Sequence, residues 1–144
     1  IKAASTFQQG MQTLRQLSFG LLDMSWHGTD PSTITNVKQY EKAAFKQTQL
    51  FPDVEQNCMS TAFSHIFQGG YSSGYYSYKW AEVLDADAFE YFKENNLFDP
   101  KIANDFKEYI LSKGGTEDPL ELYIKFRGQK PKAGALLRRS GLIN

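Results

Sequence analysis

The sequence has 144 residues, 41% of them hydrophobic and 15% aromatic, which is enough apolar side chain to bury a core and argues against a disordered chain. Sixteen Lys and Arg residues balance sixteen Asp and Glu residues, so the net charge does not favour a nucleic acid or an anionic membrane as partner. No apolar run approaches the roughly 20 residues that a membrane-spanning helix needs.

The first helix is predicted from apolar residues that recur at steps of three and four, as on one face of a helix. These residues are Phe7, Met11, Leu14, Leu21 and Met24. Ser5 with Gln8 fits a capping box at its start. The helix should run to about Trp26 and stop near Gly28. His27 should then stabilise the last carbonyls or the negative end of the helix dipole, rather than bind a ligand.

Two dipeptides combine a capping aspartate with a proline in the first helical turn. Asp30-Pro31 opens either a short turn or a second helix, which ends by Pro52. Asp99-Pro100 opens a later helix, and Gly114-Gly115 supplies its left-handed C-terminal cap.

Three more helices follow from the apolar spacing. One begins at about Tyr76 or Tyr78, one is capped by Thr116 and stops at Gly128, and a short one follows Pro131. Every periodic segment is helical, and none alternates as a strand does. The sequence therefore predicts an all-α helical bundle, forming a single domain with one functional loop rich in Gly and Tyr.

The predicted loop lies in the stretch from Phe63 to Asp87, where glycines and aromatic residues are concentrated. They are His65, Gly69, Gly70, Tyr71, Gly74, Tyr75, Tyr76, Tyr78 and Trp80. Glycine permits close approach of the backbone, while Tyr and His present an apolar ring with a polar tip. This combination suits a loop over an extended ligand, although such aromatics also pack turns against a core. The glycines match no phosphate-binding pattern.

Two other residue pairs offer catalytic chemistry. Asp85 and Asp87 invite an acid/base interpretation, but residues two apart on a helix point in different directions, so solvation or helix pairing is expected. The single Cys58 would need His65 as its base to act as a nucleophile. A lone cysteine more often behaves as a small buried hydrophobic residue.

The stretch from His65 to Trp80 resembles a motif of the thimet-oligopeptidase family of zinc metallopeptidases, and is closest to the bacterial members. The similarity continues through Trp80 to Phe89, Ile110 to Pro119 and Lys125 to Pro131, and more loosely backwards through Arg15 to Asp23. It implies that the chain is the C-terminal segment of a larger, mostly helical peptidase that hydrolyses short peptides.

The resemblance also implies roles for the three hydrogen-bond donors of the motif. Tyr78 is expected to donate to the oxyanion of the transition state. Tyr71 is expected to assist it or to contact the substrate backbone, and His65 to donate to a substrate carbonyl.

The remaining motif residues are expected to bind substrate. Gly69, Gly70 and Gly74 would let the loop approach an extended peptide and move during closure. Tyr75 and Tyr76 are adjacent, and the sequence leaves open which of them packs and which faces a subsite.

Zinc is the cofactor that the resemblance implies, yet the family's H-E-x-x-H motif is missing. His27 is followed by Gly28 and His65 by Ile66. The ligands are therefore expected in the N-terminal remainder of the same polypeptide, and this chain alone is expected to be inactive. The alternative is a non-catalytic helical module that binds peptides.

Overall fold

The computed structural model describes residues 2–144 as helices joined by turns, with no strand in that range, which confirms the predicted all-α fold class. The α-helices are α1 Lys2–Ser5, α2 Gln9–His27, α3 Val37–Phe45, α4 Met59–Ala62, α5 Ser77–Glu94, α6 Pro100–Phe106, α7 Pro119–Arg127 and α8 Gly134–Arg139. Short 3₁₀ turns cover Pro31–Thr33, Ser64–Ile66 and Gly69–Tyr71. None of these described helices is long and apolar enough to cross a bilayer.

The chain divides into two compact units, Ile1–Trp80 and Ala81–Asn144. Helix α5 starts at the end of the first unit and continues into the second. The single helical domain expected over the whole chain stays a prediction.

Helix α2 is the central helix of the first unit and ends at Gly28, as predicted. The capping box predicted at its start is wrong. Ser5 belongs to α1, and a turn with Gln8 at φ 55° separates α1 from α2, whose first residues receive no side-chain cap. A residue that is itself helical cannot take the extended backbone that an N-cap needs.

The Asp30-Pro31 dipeptide opens a short turn and not a long helix. The Asp30 carboxylate accepts the Ser32 N–H at 3.0 Å, but the helical turn lasts only from Pro31 to Thr33. Helix α3 has its own cap, because the Asn36 side chain accepts the Gln39 N–H at 2.9 Å.

A buried glutamate on α3 fixes the start of the short helix α4. The Glu41 carboxylate accepts the backbone N–H groups of Met59 and Ser60, at 2.9 and 2.5 Å, and the Ser60 hydroxyl at 2.7 Å. Burial alone would raise the pKa of Glu41, but these hydrogen bonds and the charge of Lys38 outweigh it, so the pKa of Glu41 is lowered. Glu41 is thus a charged anchor inside the first unit.

In the second unit, helices α6 and α7 both begin with an aspartate that precedes a proline. Asp99 accepts the Lys101 N–H at 2.7 Å, as predicted. The predicted cap at Thr116 is wrong, because Asp118 accepts the N–H groups that begin α7. Asp118 stands directly before the first helical residue, whereas Thr116 lies two positions too early to reach those N–H groups.

Glycines in the left-handed region close the helical segments of this unit. Helix α6 runs directly into a π-helical segment, Lys107–Ser112, which ends near Gly115 at φ 71°. Gly128, at φ 80°, ends α7 as predicted. Each position suits glycine because a side chain is strained at such φ values.

A buried polar network joins α5 to α7. The Asp87 carboxylate is 1% exposed and accepts the Tyr123 hydroxyl at 2.8 Å and the Arg127 Nε–H at 3.3 Å. Burial, and then the hydrogen bond to Asp87, raises the pKa of Tyr123. Asp85 instead faces solvent and pairs with Arg139, so the two aspartates diverge as predicted.

Replacing Asp87 by Ala should lower the free energy of unfolding by about 3 kcal/mol, because Arg127 would stay buried with only the half-exposed Glu94 left as its ion-pair partner. Asp85→Ala is the matched control, since an exposed ion pair contributes about 1 kcal/mol or less. Urea unfolding of both variants measures the difference. Equal losses from the two substitutions would contradict this role of the network.

Candidate functional site

The side chains of His65, Tyr71 and Tyr78 form one stacked row on the surface of the first unit. Ring centroids lie 4.8 Å apart between His65 and Tyr71, and 5.4 Å apart between Tyr71 and Tyr78, both at 21° between planes. The Tyr78 hydroxyl lies 3.5 Å from His65 Nε2. Because Tyr71 and Tyr78 are 37% and 41% exposed, the row is open to solvent.

A second layer of rings supports the row from within. Tyr75 is half-buried, with its ring 5.1 Å from Tyr78, 5.3 Å from Phe63 and 5.8 Å from Phe19. Tyr76, the adjacent residue, is 58% exposed. The structure therefore gives Tyr75 the packing position and leaves Tyr76 open to solvent.

The pKa is raised for Tyr78 in the row and for Tyr75 behind it. A hydrogen-bonding interaction with Tyr71 is the main cause that raises the pKa of Tyr78, with burial and the nearby phenols adding to it. Burial raises the pKa of Tyr75, although the charge of Arg15 opposes this. A phenol that holds its proton well above neutral pH is available as a hydrogen-bond donor.

The turn that leads from Gly69 to Tyr78 needs glycine at fewer positions than it has glycines. Gly69 has φ 79°, a conformation that favours glycine. An added Cβ at Gly70 would meet no atom within 4 Å, and at Gly74 it would make ordinary contacts from 3.6 Å outward. The fold of this chain therefore explains Gly69 but does not explain Gly70.

A buried aspartate, which the sequence reasoning missed, holds this turn. Asp23 on α2 is 0% exposed, and its two oxygens accept the Ser73 and Tyr75 N–H groups, each at 2.9 Å. His27 Nδ1 lies 2.8 Å from the Asp23 carbonyl oxygen, as expected for a residue at the helix end, and 2.8 Å from its carboxylate. The sequence did contain one indication that Asp23 is buried, because Asp23 lies four residues after Phe19 and therefore on the same helix face.

The Cys58 thiol does not take part in the row. It lies 3.7 Å from the Glu41 carboxylate, whereas the ring contacts of His65 are with Phe63, Tyr71 and Tyr75. The described contacts therefore do not form the nucleophile and base pair considered from the sequence.

The described residues do not fit a zinc ion. No group of three His, Cys, Asp or Glu side chains within residues 2–144 is arranged to hold a metal. Of the two histidines, His27 is bonded to Asp23 and His65 is stacked on Tyr71. We therefore assign no zinc ligand among residues 2–144.

A cleft of about 580 Å³ lies in the same unit as the row. Phe19 lines it and also packs against Phe63 and Tyr75, so one ring links the cleft to the support of the row. Arg15, whose guanidinium lies 4.6 Å over the Phe19 ring, adds a positive charge to the cleft wall. Such a concave, mostly apolar surface with a few polar groups is typical of ligand sites.

Comparison with known proteins identifies the class of protein to which this chain belongs. A family model described as Peptidase family M3 matches residues 1–142 of the chain. The class defined by the matched residues is that of the peptidases. Within this class, the chain belongs to peptidase family M3, which confirms the resemblance predicted from the motif between His65 and Trp80.

Similar proteins match nearly the whole chain. It is 44% identical over 142 residues to oligopeptidase A of Haemophilus influenzae, covering 98% of this chain and 21% of that protein. It is 35% identical over 144 residues to dipeptidyl carboxypeptidase of Escherichia coli, covering 99% and 21%. A thimet-like oligopeptidase of Dictyostelium discoideum is 28% identical over 140 residues, covering 97% and 21%. The chain thus spans about a fifth of the length of these relatives.

Replacing Tyr71 by Phe should lower the pKa of Tyr78 toward its ordinary value of 10.0, because the Tyr71 hydroxyl is the main cause of the rise. The ¹³Cζ resonance of Tyr78, followed through an alkaline NMR titration, measures the shift. Tyr76→Phe is the control and should leave the pKa of Tyr78 raised. A Tyr78 titration that is the same with and without the Tyr71 hydroxyl would rule out this coupling.

Proposed function

We propose that this chain supplies the peptide-binding wall and the carbonyl-oxygen donors of a zinc-dependent oligopeptidase or peptidyl-dipeptidase that hydrolyses short peptides. The stacked row of His65, Tyr71 and Tyr78 is the observation that carries this proposal, since three donors lie together and open to solvent. Zinc belongs to the proposal as the cofactor of a longer polypeptide, held by its N-terminal remainder. The 144-residue chain alone would then hydrolyse no peptide.

Hydrolysis of a peptide bond places negative charge on the carbonyl oxygen, and neutral donors aimed at that oxygen lower the barrier. Tyr78 is the main donor in this proposal, because a phenol carries its proton at neutral pH and this side chain is exposed. Tyr71, stacked on it, would assist or bind the substrate backbone, and His65 would donate to a second substrate carbonyl. Tyr78, Tyr71 and His65 are therefore the proposed catalytic residues.

The turn and the cleft are proposed to bind the extended peptide. Gly69, Gly70 and Gly74 would let the backbone of the turn come close to the substrate, and the exposed Tyr76 would contact a substrate side chain. Tyr75 would contribute indirectly, because its ring packs against that of Tyr78 and supports it.

A non-catalytic helical peptide-binding module would use the same surface without turnover. Membership of peptidase family M3 and the similarity to oligopeptidase A and dipeptidyl carboxypeptidase favour the peptidase. A fold does not by itself determine function. The peptidase and the non-catalytic module are therefore distinguished by measuring how the loss of a single hydroxyl group changes turnover.

Tyr78→Phe in the full-length protein should lower kcat about 100- to 1,000-fold, the typical loss when one oxyanion donor is removed. Steady-state peptide hydrolysis measures it, and zinc content should be unchanged. Tyr109→Phe, which removes a hydroxyl in the other unit, is the control and should retain normal turnover. Normal turnover of Tyr78→Phe would remove the proposed role of this residue.

Gly70→Ala should lower kcat/KM about tenfold or more while leaving the free energy of unfolding within about 0.5 kcal/mol of wild type. The added methyl group meets nothing in this chain, so only a peptide that lies close to the turn would feel it. Gly114→Ala is the control, because its Cβ would make only an ordinary contact of 3.7 Å with Ile110. Unchanged kcat/KM for Gly70→Ala would argue against close approach of the substrate.

A further inference from the structure

Asp23 is the most completely buried charge of the first unit, and both of its oxygens are directed at one turn. A buried carboxylate is strongly destabilising unless it is fully hydrogen-bonded. Here one oxygen accepts the Ser73 N–H and the other accepts the Tyr75 N–H. His27 Nδ1 lies 2.8 Å from the Ser73-bonded oxygen. The buried charge thus acts on the backbone between Tyr71 and Tyr78.

The two N–H groups that Asp23 binds lie in the middle of this turn. Ser73 has φ 58°, a left-handed conformation that is strained for a residue with a side chain. The hydrogen bond from its N–H offsets that strain. Tyr75 follows one residue after Gly74, and its ring contacts that of Tyr78.

We propose that Asp23 is a positioning residue, whose carboxylate holds residues 71–76 so that the Tyr71 and Tyr78 phenols are presented side by side to the peptide. His27, whose Nδ1 lies 2.8 Å from the oxygen that accepts the Ser73 N–H, would steady the carboxylate. Asp23 would touch neither the substrate nor the reacting atoms, since it is fully buried. This inference rests on the proposed function, and its test separates the two.

Asp23→Asn keeps the shape of the side chain but replaces one acceptor oxygen by an NH₂ group. That group would face a backbone N–H, so one hydrogen bond of the turn is lost. Amide hydrogen exchange within residues 72–76 of the full-length protein, followed by mass spectrometry, should accelerate about tenfold or more. The value of kcat should fall about 10- to 100-fold, with a smaller change in KM.

Glu41→Gln is a matched control. Glu41 is also a buried carboxylate of the first unit that accepts two backbone N–H groups, but these belong to Met59 and Ser60. This variant loses the same kind of bond away from the turn. Exchange within residues 72–76 should therefore stay within about twofold of wild type.

A double variant tests whether Asp23 acts through Tyr78. If it does, Asp23→Asn should add little to the loss caused by Tyr78→Phe, because the group being positioned is already gone. Multiplying losses would overturn the inference, as would normal kcat in an Asp23→Asn variant whose turn exchanges fast. Normal turnover of Tyr78→Phe would overturn the proposed function. Unchanged amide exchange within residues 72–76 of Asp23→Asn would overturn the positioning role, irrespective of the turnover measured for Tyr78→Phe.

Discussion

Three buried carboxylates connect the parts of each unit that are far apart in the sequence. Asp23 bonds the turn before α5, Glu41 bonds the start of α4, and Asp87 bonds the tyrosine and arginine of α7. A charge removed from water must be paired, so each one fixes the position of its partners. Across residues 2–144, no buried side-chain nitrogen or oxygen lacks a hydrogen-bond partner, which satisfies this constraint in the residues that the structure describes.

Local chemistry explains which helices could be predicted from the sequence. Asp99 before a proline and Gly128 after an apolar repeat act within one turn, and they respectively start and end helices where predicted. Ser5 and Thr116 have suitable side chains, but a cap also needs a non-helical backbone next to the first helical residue. At Ser5 the backbone is helical, and at Thr116 the closer Asp118 takes the role. The sequence therefore shows which residues are of a type that can cap a helix, but not which of them stands directly before the first helical residue.

The candidate site could likewise be predicted only in part, because some of its residues lie in one local motif and others make contacts that are distant in the sequence. The motif identified His65, Tyr71 and Tyr78, because these residues lie in one short stretch. It did not indicate their stacking order, which depends on the rings packed behind them. Asp23 could not be linked to the turn, since 50 and 52 residues separate it from its partners. Periodicity rules reach only about four residues along a helix, so they place Asp23 on the buried face without naming what it binds.

The π-helical segment Lys107–Ser112 has a consequence for how the second unit tolerates insertions and deletions. Its turn holds more residues than an α-helical turn, and it lies between an aspartate-capped start and a left-handed glycine. Shortening the chain there by one residue can be absorbed by reversion to ordinary α-helix. The same deletion inside α5 or α7 would rotate every later side chain by about 100° and expose the apolar face. Changes of length in this unit are therefore best accommodated between Lys107 and Ser112.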